Sequence, residues 1–163
     1  GKAEYLEVPR TDRTWRAVMA SCALPIAFQP VKIDGNLYMD GGMTDSIPFQ
    51  KPIDDGCDKI IVILTRERGY VKKSEPLQKI IDITYRRYPN LVKSIDNRAQ
   101  MYNEERKRIF ELESRGKLFV IEPETTGNFS RVESSPEALC ALYDQGYNVA
   151  NARMSALKAY LEA

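Results

Sequence analysis

Apolar residues recur along this chain at two different periods, and the period changes from segment to segment. Residues 1–8 alternate and predict an opening strand. Thr11-Asp12 supplies helix-capping chemistry, and Trp15, Val18, Met19 and Cys22 follow at helical spacing until Pro25 stops the helix. Short apolar runs at 31–33 and 37–39 flank Asp34-Gly35-Asn36, a turn signal that predicts a tight hairpin. The second strand of that hairpin ends at Asp40. A short helix is expected over 48–55 with Gly56 as its stop, and residues 59–64 form a continuous β-branched run typical of a strand buried on both faces.

Beyond Ser74 the helical period dominates. Leu77, Ile80, Ile81 and Thr84 fit one helix, and Leu91, Ile95, Ala99, Tyr102, Ile109 and Leu112 fit a longer one that begins after Pro89. A further strand is predicted over 118–121. Ser135 caps a last helix whose face would carry Leu139, Leu142, Gly146, Val149, Met154, Leu157 and Leu161. Strands alternating with helices argue for an α/β domain with a largely parallel sheet covered by helices.

Composition narrows the function more by exclusion than by direction. The chain has 163 residues, enough for a substantial core, and its 24 basic and 23 acidic residues leave a net charge of +1. Such a balance gives no general attraction to nucleic acid or to acidic substrates. Three cysteines, Cys22, Cys57 and Cys140, stand at unrelated spacings, and Cys22 and Cys140 fall on predicted apolar helix faces, so buried free thiols are expected. No segment reaches the run of about 20 apolar residues that a membrane-spanning helix needs. A soluble, cytoplasmic protein is the resulting expectation. Basic residues from Arg86 to Arg108 are interleaved with Glu104, Glu105, Glu111 and Glu113, the pattern of a solvated helix face, although such a face could also meet anionic lipid.

The candidate chemistry lies at Asp40-Gly41-Gly42. A strand end holds the carboxylate still, and the glycines let other groups come close and can adopt positive φ. The chain contains no histidine, so a hydrolase built on it must shuttle protons with another group, and Asp40 is the best placed. Taken alone, Asp-Gly is an ordinary turn dipeptide. Asp45 and Ser46, just before Ile47-Pro48, read as a helix cap.

The surrounding residues resemble the patatin-like phospholipases. Their signature runs through Ala20-Ser21-Cys22-Ala23-Leu24-Pro25, Phe28-Gln29-Pro30, the hairpin, Asp40-Gly41-Gly42, Thr44-Asp45 and Pro48, with Ser46 where that family more often has Asn. The resemblance implies a three-layer α/β/α domain with a mainly parallel sheet and a serine lipid acyl hydrolase that uses a Ser-Asp dyad. Asp40 would be the proton acceptor, supported by Gly41 and Gly42, with no cofactor or metal. The substrate would be a lipid or acyl ester, with peripheral membrane contact possible. The family's nucleophile sits in Gly-x-Ser-x-Gly, and no serine of this chain has that setting. Residues 1–163 are therefore expected to be the C-terminal portion of one patatin-like domain whose nucleophile-bearing portion is absent. Alone, the chain should be inactive and prone to self-associate through an uncovered sheet edge. The alternative is a non-catalytic α/β binding module that keeps Asp-Gly-Gly as a turn.

Overall fold

A computed structural model describes residues 1–74, 78–127 and 133–163. In chain order the regular elements are α1 (Arg16–Ser21), β1 (Val31–Ile33), β2 (Asn36–Tyr38), α2 (Gln50–Asp54), β3 (Ile61–Ile63), α3 (Gln78–Thr84), α4 (Pro89–Ser114), β4 (Phe119–Ile121) and α5 (Pro136–Glu162). Strands and helices interleave, as an α/β chain requires. They form two compact units, one of residues 1–47 and 72–105, the other of residues 48–71 and 106–163. Among the described residues no helix is long and apolar enough to cross a membrane.

In the first unit the hairpin forms as its turn residues predict. β1 and β2 pair antiparallel with Ile33 opposite Asn36, and the two intervening residues, Asp34 (φ 48°) and Gly35 (φ 87°), both take the left-handed conformation of a mirror-image turn. The opening segment 1–8 is not a strand: among the described residues no strand pairs with it. Asp12 does receive the N–H groups of Thr14 and Trp15, at 2.9 and 3.2 Å, but Trp15 itself is left-handed and α1 starts only at Arg16. The expected apolar face of α1 is turned outward, with Trp15 60% and Met19 58% exposed, while the small Ala20 and Ala23 are buried. The core gathers Met43, Ile81, Tyr85 and Ile95, flanked by Met39, Leu91 and Val92. Leu77, expected on the same helix as Ile81, lies outside the described residues.

In the second unit β3 and β4 run parallel, with Val62 opposite Val120. Ile60, Val62 and Leu64 are buried, but Ile61 and Ile63 are exposed, Ile63 to 72%. A strand covered on both faces was expected; only one face is packed, because the described elements cover one side of the sheet. Tyr160 of α5 secures the start of β3 by accepting the Ile60 N–H at 3.0 Å. Arg106 is 97% buried and donates to the carbonyls of Arg66, Glu67 and Arg68, at 3.3, 2.6 and 3.1 Å. Ser135 caps α5 as predicted, accepting the Ala138 N–H at 3.2 Å. The predicted apolar face of α5 is only partly covered: Leu142, Val149 and Leu157 are half-buried, Leu139, Met154 and Leu161 are exposed, and no residue of the helix is fully buried. Cys22, Cys57 and Cys140 are free thiols, but all three are exposed, since the helix faces that were to bury Cys22 and Cys140 face outward.

Candidate active site

Asp40 stands two residues beyond β2, and its main-chain N–H donates to the Ala23 carbonyl at 3.1 Å. Its carboxylate is half-buried and heads a single 3-10 turn over Gly41–Met43, with Oδ1 accepting the Gly42 N–H at 2.7 Å. Oδ2 accepts no hydrogen bond among the described residues. One oxygen is therefore anchored and the other is available. The two glycines do not use the left-handed backbone expected of them; their φ values are ordinary. What Gly42 supplies is room, for a Cβ there would lie 3.0 Å from the Asp40 Oδ1. Around Gly41 the space is open.

Asp40, Gly41 and Thr44 border a cavity of about 380 Å³, a size suited to a small ligand. Its apolar wall includes Pro30, Met39, Met43 and Leu91, with the rings of Tyr38, Tyr85 and Tyr88, while Lys2, Glu4 and Arg87 add charge. Buried Tyr85 is fixed by the Ile26 N–H, which donates to its hydroxyl at 2.8 Å. Ile26 carries φ 71°, an uncommon backbone for a β-branched residue and a strained one. The loop after Pro25 thus holds a wall of the cavity as well as ending the helix.

The Gly42 carbonyl accepts two hydrogen bonds, from Arg98 Nε at 2.8 Å and from Ser46 Oγ at 2.7 Å. Ser46 was expected to help cap the next helix, and so was Asp45. Neither does, since α2 begins only at Gln50 behind Phe49, which makes no side-chain cap. Asp45 instead accepts the Tyr5 hydroxyl and faces Glu105. Glu105 accepts the Ile47 N–H at 3.1 Å; its burial, and then the nearby Asp45 charge, push its carboxyl up to about 7.

Arg98 and Glu105 were not singled out by the sequence, where both read as members of a solvated helix face. A signal was present. Both fall at seven-residue steps from Leu91, on the stripe of α4 that also carries Ile95, Tyr102 and Ile109, so a charged group there must find a partner inside.

Residues 6–53, which include all of Asp40-Gly41-Gly42, match the family described as patatin-like phospholipase. Residues 88–162, covering all of α4 and α5, match a domain of unknown function, DUF6363. Among individual proteins, the chain is similar to Lysophospholipase NTE1 of Cryptococcus neoformans var. neoformans serotype D, at 41% identity over 58 residues, in each of two strains. That segment is 36% of this chain and 4% of the relative, so the chain spans a small fraction of the curated relatives it matches. The likeness of this chain to the patatin-like phospholipases thus lies in residues 6–53, the segment that holds Asp40-Gly41-Gly42.

Proposed function

We propose that this chain carries the proton-accepting half of a Ser-Asp lipid acyl hydrolase site. In this reading the nucleophilic serine and its oxyanion loop come from a polypeptide segment outside the 163 residues, residues 1–163 are the C-terminal portion of the patatin-like domain, and the complete domain has a three-layer α/β/α build. Asp40 takes the serine proton as the hydroxyl attacks the ester carbonyl, and water then releases the acyl group from the serine. The observation that carries the proposal is the Asp40 carboxylate itself: Oδ1 is held by the Gly42 N–H at 2.7 Å, Oδ2 is unclaimed among the described residues, and a cavity of mixed apolar and polar lining adjoins it. A base needs fixed geometry more than a particular side chain, and the turn supplies it. The cavity wall suits an acyl chain, and the exposed apolar and basic groups around it suit a peripheral approach to lipid.

The test joins the chain to the segment that bears Gly-x-Ser-x-Gly and assays hydrolysis of a short-chain chromogenic ester. Asp40→Asn keeps an oxygen for the Gly42 N–H, so the protein should fold normally and lose turnover. Full activity in that variant, or turnover by the 163 residues alone, would sink the proposal.

A further inference from the structure

We propose that Arg98 is a positioning residue for Asp40, acting through the peptide of Gly42. The inference rests on the proton-acceptor reading for its functional meaning and on α4 for its geometry. Gly42 has no side chain to limit its backbone, so the direction of its N–H is set by whatever holds its two peptide groups. On one side the N–H binds Asp40 Oδ1 at 2.7 Å. On the other, the carbonyl is gripped by Arg98 Nε at 2.8 Å and by Ser46 Oγ at 2.7 Å. Ser46 belongs to the same short loop as Gly42 and moves with it. Arg98 is a half-buried residue of a 26-residue helix and provides the fixed reference. Its Nη2 also passes 3.8 Å from the place a Gly42 side chain would occupy, so the guanidinium and the turn are fitted closely to one another. Arg98 lies outside the segment 6–53 that carries the patatin-like match.

Two isosteric replacements isolate the Nε bond. Arg98→Gln places an amide nitrogen where Nε stands, while Arg98→Met places a methyl there; both remove the outer guanidinium nitrogens and the charge. Amide hydrogen exchange measured by NMR on the 163-residue chain then compares Gly42 with Asp40, whose N–H bonds the Ala23 carbonyl and reports general opening of the same unit. Arg98→Met should speed Gly42 exchange about tenfold, the loss of one ordinary hydrogen bond, and leave Asp40 unchanged. Arg98→Gln should restore Gly42 to within about threefold of the parent. Equal acceleration at both amides, no acceleration at Gly42, or a glutamine variant that behaves like methionine would overturn the proposal. Should methionine prevent folding, Arg98→Asn, too short to reach the carbonyl, replaces it with the same expected and overturning results. Hydrolysis that ignores Asp40→Asn would remove the acceptor role and leave this exchange pattern standing, so the two failures are distinct.

Discussion

The carboxyl group of Glu105 faces that of Asp45, which lies in the loop that follows the Asp-Gly-Gly turn, and accepts the Ile47 N–H of the same loop. Burial and the Asp45 charge raise Glu105 from an ordinary 4.5 to about 7 in the folded chain. The folded state therefore holds this proton more tightly than the unfolded chain does. Its contribution to stability is fully present below about pH 4.5 and is lost as pH rises to about 7. Discounted for partial exposure, the loss is about 2 kcal/mol. Glu105→Gln should remove this dependence, and its stability relative to the parent should rise from pH 4.5 to 7, as read by urea unfolding at each pH. A constant difference across that range would contradict the assignment.

Two glycines should respond to alanine for different reasons. Gly35 has φ 87° and open space around it, so Gly35→Ala should lose about 1 kcal/mol of stability through backbone strain alone. Gly42→Ala meets no such backbone penalty, but its methyl must push the Asp40 carboxylate aside by a few tenths of an ångström. In a hydrolytically competent protein it should cost roughly tenfold or more in turnover through misplacement, with a smaller change in unfolding midpoint than Gly35→Ala. The reverse ranking in denaturation would refute this account.

Arg106 is expected to matter for stability more than any exposed basic residue near it. Arg106→Met would leave the carbonyls of Arg66, Glu67 and Arg68 without their donor and should cost about 2–4 kcal/mol. Lys107→Met, on an exposed neighbour, should change stability by less than about 0.5 kcal/mol. Denaturant titration of both variants gives the comparison.

The uncovered face and unpaired edge of β3 predict association between copies of the chain. Ile61 and Ile63 are exposed, and β4 pairs with only one edge of the strand. Sedimentation should show a concentration-dependent increase in mass, and Ile63→Lys should suppress it. If the parent chain stays monomeric at high concentration, this surface is not adhesive.

Local chemistry was the most legible part of the sequence. The Asp34-Gly35 turn, the Ser135 cap, the start of α4 at Pro89 and the position of Asp40 all follow from residue preferences that act within a few positions. Burial was read less well, because periodicity shows which residues share a face but not what lies opposite. Trp15, Met19, Ile63 and Leu139 sit on the predicted stripes and are exposed all the same. The candidate site was legible in part. Asp40 announced itself through its glycines, whereas Arg98 and Glu105 were hidden by the charges around them and show only when counted from Leu91 along α4.

The first unit is assembled from two stretches of chain, 1–47 and 72–105, and this has a consequence for inheritance. The matched segments end at 53 and resume at 88, so the Asp-Gly-Gly turn and the α4 residues that bond its loop fall in different matches. A recombination event there would join the Asp-Gly-Gly turn of one parent to the α4 of another, and the partners of Gly42 and Ile47 would come from different lineages. Such chimeras would survive only where position 98 still offers a donor and position 105 an acceptor, so the two segments should descend together as one hereditary block.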